Sequence, residues 1–484
     1  MISGLPHEIL LLISSHLASP ADTLRLASCC QKFHDLLTPE VYNTVQLEDG
    51  REWHMSRLTH TLARNPQLAK LVRSLRHSDG AISCYHHGAY YDDKTIHPLL
   101  EAATPCSKEL ATWEKQLKAD VGDDPWLAIL LPLLTNLEEL EMVIHWPSSY
   151  TRKMLQRITQ GPPNPCLARL REVSVRFWDT EGGLRTSYVY PFFRLPSLRG
   201  FTGNMLQDGR FEGEDLHRDE SDYESDYEGD EAKEAAYPGS ECFSTVTRLH
   251  VHYSNSEKGL PDLISAPKRL ESFVYEYNGS TGEYTPFDAR AFYGSLCKHR
   301  ESLAEITLCE DIWSYSVDEP VDVKFVGSFK DFTALRKLRL RGQNILDWEE
   351  SGSGFKNTLS DVLPESLESL IIESFDECDS VGLTAELETL VRNINSTCPN
   401  LAVLEIKGHI EKPAPLTTLN QEITWPHPVP ELADDYIEMT ACLASLCRQA
   451  RIRFRLWSPI MEERANQYEY WLEKQTDNLM RKAI

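Results

Sequence analysis

The fold is decided by an apolar stretch near the start of the chain, Leu5-Pro6-His7-Glu8-Ile9-Leu10-Leu11-Leu12-Ile13-Ser14-Ser15-His16-Leu17-Ala18-Ser19-Pro20-Ala21-Asp22. Ile9, Ile13 and Leu17 recur at steps of four, which predicts one apolar face of a helix. Ser19 and Pro20 end this helix, and Asp22 is predicted to cap a second one. Because so short a unit cannot bury both of its faces, its apolar residues need another surface to pack against.

The spacing of these residues resembles that of an F-box, a family that forms three short helices and docks on the Skp-type adaptor of cullin–RING ubiquitin ligases. The likeness rests on the Leu5-Pro6 opening, the apolar first helix, the Asp-x-Leu-x-Leu restart and Cys30-x-x-Phe33. Phe33 stands where many members have Trp, so an aromatic anchor is kept. The resemblance implies an F-box over residues 1–46 with these adaptor contacts: Leu5, Pro6, Ile9, Leu10, Ile13, Leu17, Leu24, Leu26 and Phe33.

Composition indicates a soluble globular protein of several domains, with 484 residues, 41% of them hydrophobic and 25% charged. The 49 basic residues against 74 acidic ones give a net charge of −25, which argues against nucleic acid as the main partner. The same excess of acid favours a basic surface on any protein target. No segment approaches the roughly 20 apolar residues of a membrane span, and no secretory signal is recognisable. Twelve cysteines without a Cys-x-x-Cys pair favour a reduced location, in the cytosol or the nucleus.

The negative charge is concentrated in one segment. Between Glu212 and Glu234 twelve acidic residues stand against two basic ones. This composition predicts a disordered insertion over residues 208–238. Ser221 and Ser225 each have acidic residues at the first and third following positions, a pattern that resembles acidophilic kinase sites, so both are candidate phosphorylation sites. A solvated loop without a role is the alternative.

A phrase Leu-x-x-Φ-x-Φ, in which Φ is apolar, recurs along most of the chain. Its first positions are Leu137, Leu170, Leu198, Val246, Leu270, Leu303, Leu335, Leu367 and Leu401. Each copy predicts a turn followed by a short parallel strand, and the intervening residues return as a helix or irregular crossover. This resembles a long, degenerate leucine-rich repeat. The Asn or Cys that usually follows the strand in that family is mostly absent here.

The predicted fold class is therefore α/β, with N-terminal F-box helices followed by an irregular solenoid of short parallel strands. The predicted domains are the F-box (1–46), a helical and loop connector (47–125), the solenoid (126–456) and a C-terminal capping helix (457–484). Within the connector, residues 76–106 are rich in His, Gly, Tyr and Asp and are predicted to form a loop.

The sequence contains no nucleophile elbow, phosphate-binding loop or dinucleotide-binding motif. His86, His87 and His97 lack a metal-ligand spacing, so no catalytic residue, metal or cofactor is predicted. The preferred hypothesis is a non-catalytic substrate receptor whose partners are a Skp-type adaptor and an unknown protein substrate. The alternative is an interaction scaffold outside the ubiquitin system, in which the N-terminal helices only cap the solenoid.

Overall fold

The computed structural model describes most of the chain. The described residues are 5–17, 19–47, 54–77, 91–119, 122–144, 149–160, 166–179, 182–207, 242–255, 259–278, 288–310, 325–349, 354–412 and 431–461. They form two compact units. Unit one comprises Met1–His250 with Ala266–Lys268, and unit two comprises Val251–Ser265 with Arg269–Ile484.

Helices alternate with strands along both units. The helices of unit one are α1 (His7–Ser15), α2 (Pro20–Ala27), α3 (Gln31–Asn43), α4 (His54–Arg64), α5 (Pro66–Ala69), α6 (Asp93–Ala103), α7 (Ser107–Ala119), α8 (Asp124–Leu130) and α9 (Ser149–Gln160). Those of unit two are α10 (Leu260–Ser265), α11 (Tyr293–Leu296), α12 (Gly342–Ile345), α13 (Leu359–Val362), α14 (Ser380–Arg392), α15 (Ile394–Thr397) and α16 (Asp434–Gln449). Short 3-10 turns connect several of these elements.

The strands are short, and the pairs within each unit are parallel. Unit one contains β1 (Thr44–Leu47), β2 (Ser74–His77), β3 (Glu139–Ile144), β4 (Glu172–Phe177), β5 (Leu184–Arg185), β6 (Gly200–Asn204), β7 (Leu206–Gln207) and the start of β8 (Arg248–Ser254). Unit two contains the rest of β8, β9 (Ser272–Tyr277), β10 (Glu305–Glu310), β11 (Lys337–Arg341), β12 (Ser369–Glu373), β13 (Val403–Lys407) and β14 (Arg453–Trp457). In unit one the order is β1-β2-β3-β4-β6, with β5 and β7 paired apart, and in unit two β9 to β14 pair in sequence.

Each copy of the repeated phrase forms one of these strands. The strand begins two residues after the first position of the phrase. Equivalent apolar residues lie side by side: Leu140 beside Val173 beside Phe201 in unit one, and Leu338 beside Leu370 in unit two. All of these side chains are buried. The predicted α/β class with short parallel strands is confirmed.

One backbone carbonyl in each repeat holds the next repeat in register. In unit one the N–H groups of Arg199 and Gly200 both donate to the carbonyl of Arg171, at 2.8 and 3.0 Å. In unit two the N–H groups of Glu368 and Ser369 donate in the same way to the carbonyl of Arg336. We call the residue that supplies this carbonyl the ladder residue. Ladder residues of successive repeats stack directly on one another; they are Asn43, Arg73, Glu138, Arg171 and Arg199 in unit one, and Glu271, Ala304, Arg336, Glu368 and Ala402 in unit two.

A polar side chain at the turn before five of the strands adds a second contact to the preceding repeat. Ser302 Oγ donates to the Leu270 carbonyl at 2.7 Å, and Ser366 Oγ donates to the Leu335 carbonyl at 2.8 Å. Equivalent bonds to the preceding repeat are made by Asn136, Thr245 and Asn400. These residues satisfy carbonyls that a tight turn would otherwise leave without donors. This explains how the repeats stack without the Asn or Cys that usually follows the strand.

Several local predictions differ from the structure. Ser19, not Asp22, caps α2: its side chain accepts the N–H of Asp22, and Pro20 occupies the first helical position, where a missing N–H is harmless. Within the predicted loop 76–106, residues 93–103 instead form the helix α6, which buries Ile96 and Leu100. Residues 78–90 of that loop lie outside the described residues. The repeat also begins earlier than the phrase indicated, because β1 and β2 pair in register with β3.

Two groups of sequence predictions remain open. The insertion 208–238 and nearly all of the capping helix 457–484 lie outside the described residues. The predicted domain boundaries stay predictions.

The turn hydroxyls yield a stability prediction. Replacing Ser302 or Ser366 by Ala should lower the free energy of unfolding by about 1 kcal/mol each, because each change leaves a carbonyl of the preceding repeat without its donor. The double variant should show the sum. Urea unfolding followed by circular dichroism measures this. Ser445→Ala, at an exposed helical position, is the control and should change stability by less than about 0.5 kcal/mol. Equal effects at all three positions would contradict the role of the turn hydroxyls.

Candidate functional site

The three N-terminal helices have a small core of their own. Leu10 of α1, Ala27 of α2, and Phe33 and Leu37 of α3 are buried together. Half-buried leucines pack against this core; they are Leu5, Leu11, Leu26 and Leu36. A hydrogen bond also fixes the start of α1, because Lys32 Nζ donates to the carbonyl of Leu5 at 3.0 Å. The Leu5-Pro6 opening is therefore held against α3.

The opposite sides of α1 and α2 expose large apolar side chains. Ile9, Leu12 and Ile13 lie at helical spacings of three and four, so they share one face of α1. Leu24 lies on α2, and the side chains of Leu12 and Leu24 are each 55% exposed. Only seven large apolar residues of the described chain are exposed, and these four are among them. Such a concentration is typical of a protein-binding surface. We call Ile9, Leu12, Ile13 and Leu24 the apolar docking face.

Polar contacts beside this face hold α2 in place. Ser19 Oγ donates to Asp22 Oδ2 at 2.9 Å, and Arg25 pairs with Asp22 at 2.6 Å. The hydrogen bond from Ser19, followed by that from Arg25, lowers the pKa of Asp22, so its carboxylate stays ionised at neutral pH. An anion in the first turn also suits the positive end of the helix.

The structure divides the predicted adaptor contacts into an exposed and an interior set. Pro6, Ile9, Ile13 and Leu24 are exposed, and Leu5, Leu17 and Leu26 are half-buried. Leu10 and Phe33 lie in the core, so they can support an interface only by holding the helices together. Leu12 was missed, although its position three residues after Ile9 places it on the same face. The adaptor contacts themselves stay a prediction.

The helices continue into the repeats without a linker. α3 ends at Asn43 and β1 begins at Thr44. The carbonyl of Asn43 accepts the N–H of Arg73 at 2.9 Å, so the last residue of α3 is the first ladder residue. The docking face and the first strand of unit one are thus connected through a single helix.

The described residues offer little for metal or acid–base chemistry. No group of three or more His, Cys, Asp or Glu among them could hold a metal ion. Burial raises the pKa of the Cys309 thiol to about 12 and of the Cys447 thiol to about 11, so these thiols are protonated at neutral pH. His97 contacts Glu101, whereas His86, His87 and the candidate phosphorylation sites Ser221 and Ser225 lie outside the described residues.

Among the helices that the structure describes, none combines the length and apolar character needed to span a bilayer.

Two family models match the chain. A model described as F-box-like matches residues 2–47, which are α1 to α3 and β1. A model described as a leucine-rich repeat domain matches residues 233–413. The chain combines an F-box-like domain with a leucine-rich repeat domain. No curated protein matches it in sequence.

The leucine-rich repeat match covers β8 to β13, whereas the earlier strands of unit one lie before it. Those earlier strands nevertheless have the same carbonyl ladder. Both matched domains are of kinds that typically serve as interaction modules, and an F-box implies a Skp-type adaptor as partner.

The division of the F-box into core and docking face predicts opposite effects of substitution on stability. Leu37→Ala should lower the free energy of unfolding by about 3 kcal/mol, because it leaves a cavity in the core. Leu12→Gln and Leu24→Gln should each change it by less than about 0.5 kcal/mol, since both side chains are exposed. Urea unfolding measures all three variants. A large loss of stability at Leu12 or Leu24 would show that these residues belong to the core.

Proposed function

We propose that the protein is a non-catalytic substrate receptor of a cullin–RING ubiquitin ligase that acts in the cytosol or the nucleus. In this proposal the F-box binds the Skp-type adaptor through the apolar docking face. The repeats bind a target protein.

The observation that carries this proposal is the exposure of Ile9, Leu12, Ile13 and Leu24 on a domain that matches the F-box model. Exposed apolar side chains of this size are unfavourable in water unless a partner covers them. Burying one large side chain contributes about 1.5–3 kcal/mol, so four of them supply a substantial part of the free energy of a stable interface.

The receptor would act by proximity. Holding a target lysine beside the charged conjugating enzyme converts a bimolecular encounter into one with a high effective concentration. This chain needs only two binding surfaces for that role, and none of its side chains has to react.

One observation favours the scaffold alternative. β1 pairs with β2 along its whole length, and Leu47 is buried there, so the strand that directly follows α3 covers the start of the repeats. A capping role and adaptor binding are compatible, because the first uses α3 and β1 and the second uses α1 and α2. Adaptor binding therefore distinguishes the two functions.

The test is binding of a purified Skp-type adaptor to the full chain, measured by isothermal titration calorimetry. The wild-type chain should bind, whereas Leu12→Asp and Leu24→Asp should each weaken binding about 30-fold or more, as expected when a charge replaces an interface anchor. These positions are preferred to Leu5, whose substitution would also disturb the contact with α3.

Val381→Asp is the matched control, because Val381 on α14 is an apolar helical residue that is 67% exposed. This variant should bind the adaptor like the wild-type chain. Absence of binding by the wild-type chain, or unchanged binding by both charged F-box variants, would contradict the receptor function and favour the scaffold.

A further inference from the structure

Four exposed arginines of unit one lie in the segments that precede β4 and β6. Arg169 and Arg171 precede β4, and Arg194 and Arg199 precede β6. Among the described residues, none of the four has a carboxylate within ion-pair distance. Arg199 uses its Nη1 to donate to the carbonyls of Leu198 and Thr245. We call this group the arginine edge.

Arginines at equivalent positions elsewhere are paired. Arg73 and Arg336 are ladder residues, and each forms an ion pair with the next ladder residue, Glu138 and Glu368 respectively. Arg171 does not follow this pattern, in which a basic ladder residue pairs with an acidic one. The carboxylate of Glu138 on one side is engaged by Arg73, and the ladder residue on the other side is Arg199.

The backbone therefore places two arginine residues side by side. Arg199 N–H donates to the Arg171 carbonyl, so the two residues lie at the starts of adjacent strands whose backbones are roughly 4.8 Å apart. Like charges directly opposite one another on neighbouring strands are destabilising. The nearby Glu172 carboxylate does not relieve this repulsion, because it reaches across Gly200 to pair with Arg248.

The local charge also opposes that of the chain. The described residues from 166 to 207 contain six arginines against Glu172 and Asp179, within a chain of net charge −25. An isolated basic edge on an acidic protein attracts anions locally while the remaining surface repels them. The general preference for basic targets, expected from net charge alone, is reversed at this edge.

We propose that the arginine edge binds an acidic, carboxylate-rich segment of the target protein. This proposal rests on the proposed function and names the chemistry that part of its substrate surface would recognise. Guanidinium groups suit it because each can hold a carboxylate through two parallel hydrogen bonds. A segment running along the edge would place its carboxylates over Arg171 and Arg199 in turn and remove their mutual repulsion.

The test uses the full chain and a fluorescein-labelled oligoglutamate peptide, with binding measured by fluorescence anisotropy near 0.15 M salt, where the Debye length is about 8 Å. The wild-type chain should bind this peptide and not an oligoglutamine peptide of equal length. The double variant Arg171→Gln/Arg199→Gln should bind oligoglutamate about tenfold or more weakly. Arg336→Gln is the matched control, an exposed arginine at the ladder position that is already paired, and should leave binding unchanged.

Three results would overturn the proposal. The first is an equal affinity of the double variant and the wild-type chain for oligoglutamate. The second is binding of oligothymidine through the same two arginines as tightly as the peptide, which would indicate a general polyanion site. The third is a rise of more than tenfold in peptide affinity, dependent on Arg171 and Arg199, when the acidic residues between Glu212 and Glu234 are replaced by their amides. That rise would make the chain's own acidic stretch the occupant.

Adaptor binding by the double variant separates this proposal from the function on which it rests. Arg171→Gln/Arg199→Gln should bind the Skp-type adaptor like the wild-type chain, since both residues lie outside the F-box. A chain that binds the adaptor but not oligoglutamate refutes only the acidic target, and a chain that binds oligoglutamate but not the adaptor refutes only the receptor function.

Discussion

Within each unit a repeat is tied to the next by one backbone carbonyl, which in most repeats accepts two N–H groups. This contact fixes where a strand begins, because a shift of one residue would leave both donors without an acceptor and turn the apolar side chains toward solvent. This constraint does not depend on the number of residues between one strand and the next. Consecutive copies of the phrase can therefore be 28 residues apart, from Leu170 to Leu198, or 33 apart, from Leu270 to Leu303, and still pair in parallel.

The same constraint explains at which positions of the repeat different amino acids occur. The first position of the phrase is buried in every copy, since it closes the turn beneath the ladder carbonyl. The residue before it is Asn, Thr or Ser in the copies where its side chain donates to a carbonyl of the preceding repeat, whereas Ala334 precedes Leu335. The position that supplies the carbonyl tolerates any side chain, and Asn43, Ala304 and Arg336 all fill it. A charged side chain at that position is therefore available to bind a partner.

Periodicity predicted most of the strands and part of the docking face, namely Ile9 and Ile13. All nine copies of the phrase form strands because apolar spacing alone determines them. β2 was missed because its inward residue at the end of the phrase is His77, which is buried yet polar. Within the F-box the apolar residues were recognised, but Leu10 and Leu12 look alike in sequence, and only the packing of α3 buries one and exposes the other. The arginine edge depends on stacking between repeats, which joins residues 28 positions apart, Arg171 and Arg199.

The passage from α3 into β1 links these surfaces within unit one. α3 supplies Phe33 and Leu37 to the core beneath the docking face, and its last residue, Asn43, accepts the first hydrogen bond of the ladder. A partner held on α1 and α2 would thus be positioned relative to the ladder by packed side chains and backbone hydrogen bonds, with no flexible linker between. The effective concentration of one bound protein near the other falls as the linker between their binding sites becomes longer. For a receptor that works by proximity, such a direct connection would limit how far the two bound proteins can move relative to each other.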